Sequence, residues 1–296
     1  MTTQQAPKPQ SIRMGWRLMK SALQTLHLHK RLAALPVISA TTTVVFLAVW
    51  WACLAFVMTH VQPGTGDVAI GLTALIVGLI VGVFVIRAIF DGAIMHGALQ
   101  AYAGVRTTTG ENIRAGLHHF WSLLAFNVMM STVGVACSIL ADRMPLVGNI
   151  LINVANTSWK IANYFSIPTI MTAPKAVGPF TATKTSVNLL ASIWGESLVT
   201  NIGISGVVFL FSSGYAVFGA LGVYATGRWL PVLTFPLLGA LAVVFIILCV
   251  YVWVLDAITK AALYHYATTR QTPEAFDTAV VQSAMTRRSA QRVFKA

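Results

Sequence analysis

The chain has 296 residues, of which 56% are hydrophobic and only 9% are charged, whereas a soluble domain is about 45–50% apolar and about 25% charged. This balance excludes both an ordinary soluble globule and a disordered protein, and it favours a polytopic membrane protein. The net charge of +12 does not indicate nucleic acid as a partner. The bases lie between apolar runs and at the two ends, where they orient a membrane protein.

The N-terminal segment predicts a helix that lies on the membrane surface. Residues 1–11 are expected to be disordered. Over residues 12–35, apolar residues recur at spacings of four and three, and basic or polar residues recur one position later, which gives an apolar face beside a basic face. Such a helix directs its bases toward anionic headgroups, and Pro36 is expected to end it. The predicted headgroup contacts are Arg13, Arg17, Lys20 and Arg31.

Six apolar runs predict an all-α fold, a polytopic membrane helical bundle with six transmembrane helices. The runs lie near residues 37–58, 68–86, 121–141, 149–172, 197–224 and 231–255. Helical patterning continues beyond the second run to about Tyr102 and beyond the sixth to about Tyr266. The membrane domain is therefore assigned to residues 36–266, and the cytoplasmic tail to residues 267–296.

The distribution of Lys and Arg predicts the orientation in the membrane. Bases cluster at both ends of the chain and in the links after the second and fourth spans, whereas the opposite side carries only Arg143 and Arg228. Because cytoplasmic segments carry the excess of Lys and Arg, both termini are expected to face the cytoplasm.

An amphipathic stretch precedes each pair of spans and is expected to form a surface helix on the cytoplasmic side. These stretches lie at residues 12–35, 111–120 and 178–194. Three units of surface helix and helical hairpin would form a parallel repeat. The alternative is that any six-span protein with short loops shows this spacing.

The fourth span carries the most informative polar residues. Those that recur at spacings of three and four are Asn153, Asn156, Lys160 and Asn163. The spacing places them within roughly 80° of arc on a helix. Lys160 lies near the middle of the run, where a Lys costs about 2.5–3.5 kcal/mol on insertion scales. The stripe is therefore a candidate ligand or transport cavity, and the alternative is a polar seam that joins helices. Pro168 is expected to kink this span.

Two pairs of charged residues stand four positions apart where apolar runs end. Arg87 and Asp91 follow the second run, Asp256 and Lys260 follow the sixth, and both are expected to be structural ion pairs near the interface. No acid lies as deep as Lys160. Three partners remain open for Lys160: the Asn amides together with water, a boundary acid such as Asp256 or Asp91, or an anionic ligand such as a phosphate headgroup.

The sequence contains no motif that assigns a catalytic activity, a metal or a cofactor. The sequence lacks HExxH, GxSxG, a Walker A loop and a dinucleotide-binding fingerprint in a strand–helix context. The three cysteines lie in three different apolar runs without a CxxC motif, so neither a metal site nor a disulfide is expected. We therefore expect a protein that is not an enzyme, that has no metal or cofactor, and whose partners are membrane lipids.

Several segments together resemble a bacterial family of six-span membrane proteins without an assigned function. They are GWRLMKSALQTLHLHK, GENIRAGLHHFW, SWKIANYFSIPTI, GPFTATKTSVNLLASIWGE and KAALYHYATTRQTPEAF. The resemblance covers nearly the whole chain and implies the six-span fold in a bacterial cytoplasmic (inner) membrane, but no activity. The family usually carries an acid where this chain has Thr181. More distantly, a Pro in a span followed by a surface helix is similar to membrane domains of glycerophosphodiester phosphodiesterases and to choline-transporter-like proteins.

Three function classes compete on this reading of the sequence, and the third, a membrane enzyme, has no motif in its favour. A transporter of lipids or small solutes, or a channel-like protein, would use the polar stripe on the fourth span. A non-catalytic membrane scaffold or accessory subunit would use the basic cytoplasmic helices as docking sites. A hydrated cavity that reaches Lys160 would favour the first function, and a dry, closed bundle would favour the second.

Overall fold

The computed structural model describes residues 20–26, 30–60, 66–144, 146–194 and 231–271. In these ranges every regular element is an α-helix. The helices are α1 (residues 20–26), α2 (Lys30–His60), α3 (Gly66–Tyr102), α4 (Thr109–His118), α5 (Phe120–Arg143), α6 (Leu146–Ala162), α7 (Ser166–Thr172), α8 (Pro179–Trp194) and α9 (Pro231–Thr269). The all-helical class expected from the sequence is therefore confirmed for the described residues.

Four helices contain segments that are long and apolar enough to cross a membrane. These segments are Ala34–His60, Ala69–Tyr102, Phe120–Arg143 and Gly239–Thr269. They correspond to the first, second, third and sixth predicted spans, so the described part of the chain is that of a membrane-type protein. The fifth predicted span, residues 197–224, lies outside the described residues. The same holds for Arg13 and Arg17, for residues 1–11, and for the tail beyond residue 271.

The fourth predicted span is not one continuous helix, which corrects the sequence-based expectation. Residues 163–165 form a turn between α6 and α7. Pro168 accounts for the break, because it has no N–H for the carbonyl of Tyr164 and its ring crowds that carbonyl. With 17 residues, α6 is about 25 Å long and falls short of the roughly 30 Å hydrocarbon layer.

The predicted helix end at Pro36 is also wrong. Pro36 lies inside α2 (Lys30–His60), so the helix that contains residues 30–35 continues into the first span. A Pro near the start of a helix removes one backbone hydrogen bond. The missing bond would have ended on the carbonyl of Leu32. Leu32 and Leu35 are both buried in the core, and the free energy of their burial offsets the loss of that bond.

The buried core lies at one end of the bundle. It is built from the second halves of α3 and α9, the start of α2, the first turns of α5, and α1, α7 and α8. With 37 and 39 residues, α3 and α9 are about 55 and 58 Å long, much longer than a membrane is thick. Their apolar first halves are mostly exposed, as lipid-facing surface is, whereas their second halves pack together beside the short helices.

Candidate functional site

The polar stripe on α6 does not form one buried face. Asn163 is buried, Asn156 is half-buried, and Asn153 and Lys160 are exposed. The side-chain nitrogen of Asn153 donates to the carbonyl of Asn149 on its own helix at 2.9 Å, so among the described residues Asn153 does not join two helices. Lys160 lies in the last turn of α6. The stripe therefore runs from an exposed stretch of α6 into the buried turn that follows it.

A second exposed side of α6 has the opposite chemistry. Ile150, Leu151 and Val154 are 57%, 65% and 58% exposed. At 100° per residue, this side, which is apolar except for the exposed Ser158, is centred roughly 120° away from the side that carries Asn153 and Lys160. The helix thus presents an apolar side suited to lipid and a polar side that is not.

The turn after α6 is held by side chains of α8. The side-chain oxygen of Asn163 accepts hydrogen bonds from Ser166 Oγ at 3.1 Å and from Thr183 Oγ1 at 2.6 Å. The backbone N–H of Phe165, which the break frees from its usual helical acceptor, donates to Ser186 Oγ at 3.0 Å. Because these groups are buried, each of them would cost free energy if it were left unpaired.

Asp91 is the centre of a buried polar cluster that joins three helices. Its side chain is 3% exposed and lies 3.6 Å from Arg87 Nε, one turn earlier on α3. Its two carboxylate oxygens accept hydrogen bonds from Asn127 Nδ2 of α5 at 3.1 Å and from Trp253 Nε1 of α9 at 3.0 Å. The residue expected to form a simple pair on one helix therefore also connects α3 to α5 and α9.

The second predicted pair lies one turn further along α9. Lys260 Nζ stands 2.6 Å from a carboxylate oxygen of Asp256 and 5.3 Å from the centre of the Tyr164 ring, which is a cation–π distance. Asp256 is therefore engaged by Lys260. Asp91 is likewise engaged by Arg87, Asn127 and Trp253, so this geometry favours neither boundary acid as the partner of Lys160.

Sequence reasoning missed the partners of these residues. Asn127, Trp253, Thr183 and Ser186 bind groups on other helices, and a pattern along one helix does not identify such contacts. A signal was present for Asn127, because a lone Asn in an otherwise apolar run needs a polar partner. For Ser186 the signal is a small polar residue on the buried side of an amphipathic helix, which indicates a close contact with another segment.

The short helix α4 packs tightly against the second half of α3. A capping box fixes its start, with Glu111 N–H donating to Thr108 Oγ1 at 3.2 Å and Thr108 N–H donating to Glu111 Oε2 at 2.7 Å. Further along, Asn112 Oδ1 is 3.0 Å from His96 Nδ1 of α3. Gly116 touches the backbone of α3, where a Cβ would collide with the carbonyl oxygen of Ile89.

Helix α8 corresponds to α4 position by position. The two helices begin at Thr109 and Pro179, which are 70 positions apart. The pattern of exposed, half-buried and buried residues is the same over residues 109–119 and 179–189. Gly116 corresponds to Ser186, and both are buried. The structure thus shows equivalent short helices in two of the three expected units, and the hairpin that would follow α8 includes residues outside the described part of the chain.

Two further observations bear on possible ligands. A cavity of about 390 Å³ lies between α1, α2 and α9, and its lining is almost entirely aliphatic, with Pro36 and Tyr251 among the lining residues; α6 does not contribute to it. Among the described residues, no group of three or more His, Cys, Asp or Glu side chains stands close enough together to hold a metal ion.

Comparison with known proteins identifies the family. A family model described as "Family of unknown function (DUF6159)" matches residues 37–274, which is most of the chain, so the protein belongs to this family. Neither the curated proteins nor the solved structures provide a match. The more distant resemblance to phosphodiesterase membrane domains and choline-transporter-like proteins stays a prediction.

Proposed function

We propose that this member of the family is a six-span protein of the bacterial cytoplasmic membrane, with both termini in the cytoplasm, that passes a lipid or a small polar solute along the polar side of α6. The role is transport or channel-like passage, without catalysis. The observation that carries the proposal is the exposure of Asn153 and Lys160 on a helix whose other exposed side is apolar.

The polar side of α6 is unsuited to hydrocarbon. Lys160 lies in the last turn of α6, where its charge costs less than the roughly 2.5–3.5 kcal/mol of a Lys at the bilayer centre. The amide of Asn153, although it bonds to its own helix, is also a polar surface that hydrocarbon does not solvate. Residues of this kind in membrane helices face a bundle interior or a water-filled path, where they mark routes for substrates and ions. We infer that Asn153 and Lys160 line such a path, while Ile150 and Val154 face lipid.

Two buried polar atoms beside the stripe support a hydrated path. The side-chain oxygen of Asn156 and the indole nitrogen of Trp159 are buried and have no hydrogen-bond partner among the described residues. An unsatisfied buried polar group costs about 1–3 kcal/mol. Water or a polar ligand next to α6 would satisfy both groups.

The orientation rests on the bases at the core end of the bundle. Arg106, Arg114, Lys175 and Lys184 all lie in or beside α4 and α8. At the other end of α5, the last turn carries Arg143. By the positive-inside rule, the core end faces the cytoplasm.

The test compares cysteine reactivity on the two exposed sides of α6. Cys53, Cys137 and Cys249 are first replaced by Ala, and single cysteines are then introduced as Asn153→Cys, Lys160→Cys and the matched control Val154→Cys. A water-soluble methanethiosulfonate reagent reacts with the thiolate, and apolar surroundings raise the thiol pKa. Because each pKa unit removes about nine tenths of the thiolate, we expect the two polar-side cysteines to react at least about tenfold faster than the control.

The proposal would be contradicted by equal rates at all three positions. It would also be contradicted if Asn153→Cys and Lys160→Cys did not react in a folded protein. The second result would favour the alternative, a non-catalytic scaffold or accessory subunit. That alternative has a specific observation in its favour, since the Asp91 cluster is buried and fully hydrogen-bonded and the described cavity is apolar. Gel filtration and thermal unfolding of each variant confirm that the fold is kept.

A further inference from the structure

The repeated short helices α4 and α8 expose equivalent stripes. Each has buried positions at one side, where it packs on the core, and exposed positions that recur at spacings of four, three and four. On α4 the stripe consists of Gly110, Arg114 and Leu117, and it is followed four positions later by Trp121, the second residue of α5. On α8 it consists of Phe180, Lys184, Val187 and Ala191. At the corresponding positions 114 and 184, both stripes carry a base.

The residues around each base are apolar and exposed. Beside Arg114, Leu117 is 52% and Trp121 is 77% exposed, and beside Lys184, Phe180 is 74% and Val187 is 42% exposed. A helix side in contact with bulk water is polar. A base between exposed aromatic and aliphatic side chains is instead typical of a helix that lies in the membrane interface.

The two bases also lack a partner within the described part of the chain. The ion pairs found there join Arg87 to Asp91 and Lys260 to Asp256, and neither Arg114 nor Lys184 takes part in one. The nearest acid on α4, Glu111, is used in the capping box. Burial lowers the pKa of His119, and the neighbouring His118 and His96 lower it further.

We propose that the stripes of α4 and α8 are two equivalent binding sites for anionic phospholipids of the cytoplasmic leaflet. Arg114 and Lys184 contact the phosphate of the headgroup. The exposed apolar residues on either side of each base insert among the acyl chains below it. The sites are independent of the polar path along α6, and they bind the bundle to the leaflet at two positions that the repeat makes equivalent.

The experiment measures which lipids the full-length protein retains. The protein is reconstituted in vesicles with equal amounts of phosphatidylglycerol and phosphatidylcholine, extracted gently, and examined by native mass spectrometry. Because a base near an anionic surface contributes about fivefold in affinity, we expect R114Q/K184Q to lose most of the wild-type preference for phosphatidylglycerol. The matched control R106Q/K175Q removes the same charge from exposed positions in the loops before the same two helices, and it should keep the preference.

Each alternative gives a different spectrum. An equal loss in both double variants would mean a diffuse attraction by net charge and would overturn the proposal, as would an unchanged lipid count in R114Q/K184Q. A variant that keeps its lipids but loses a dimer peak would assign the stripes to a second copy of the chain. The variant L117N/V187N keeps both bases and should also retain less lipid, whereas sites for free phosphate would leave its spectrum unchanged.

Discussion

The unit formed by α3 and α4 and the unit formed by α6, α7 and α8 share one layout but join their parts by different means. In the first, the long helix is unbroken, and Gly116 lets α4 touch its backbone. In the second, the long helix is broken at residues 163–165, and Ser186, at the position of Gly116, accepts the N–H of Phe165. A small residue is required in both places, but a hydroxyl is needed only where the turn at residues 163–165 presents a backbone N–H to the short helix.

The largest effect is expected from removing the close approach between α3 and α4. Gly116→Ala places a methyl group against the backbone of Ile89, which cannot move aside as a side chain would. Overpacking of this kind costs about 1–3 kcal/mol or more. Equilibrium unfolding in mixed micelles with increasing SDS measures the loss.

The matched control is Gly110→Ala on the same helix. Gly110 is exposed and has no atom near the position of an added Cβ, so the substitution should stabilise the helix by about 0.5–1 kcal/mol. If the two alanine variants had the same stability, the direct backbone contact would not be what distinguishes α4 from α8.

The next effect concerns the broken helix. Ser186→Ala removes the buried hydrogen bond from the N–H of Phe165 to Ser186 Oγ, which should cost up to about 1.5 kcal/mol. The same change in a Pro168→Ala background should cost less, because without the proline the helix can continue and Phe165 can donate to Ile161. A double-mutant cycle measures the difference as a coupling energy.

Additive effects of Pro168→Ala and Ser186→Ala would contradict this account, since they would show that the break persists without the proline. Ser138→Ala is the control. Ser138 is exposed on α5 and donates only to the carbonyl of Gly134, so its loss should change the free energy of unfolding by less than about 0.5 kcal/mol.

The smallest effect concerns the different ways in which α4 and α8 begin. Thr108 caps α4 through its side chain, whereas α8 begins at Pro179, whose fixed φ suits the first helical position. Thr108→Ala should therefore cost about 1 kcal/mol, and Thr108→Asp should restore most of it. A loss that Asp does not restore would mean that Thr108 acts through packing and not through the cap. Thermal unfolding in detergent compares the three proteins.

The capping box shows what local chemistry predicts well. A Thr three positions before Glu111 signals the helix start because the two groups that bind each other are close in sequence. For the same reason, four of the six spans predicted from apolar runs are found among the described residues, and helical patterning predicted that α3 and α9 extend past their apolar runs. The Arg87–Asp91 and Asp256–Lys260 contacts are also local, since four residues span about one helical turn.

The tertiary structure decided what depends on neighbours from other helices. Periodicity put Asn153, Lys160 and Asn163 on one side of a helix, but packing buried Asn163 against α8 and left Lys160 exposed. The sequence determined that Pro168 disturbs the fourth span, whereas the position of α8 decided that Ser186 would satisfy the freed N–H. A pattern along the chain reports which residues share a face. Which partner meets that face depends on how separate helices pack, and no local spacing encodes that.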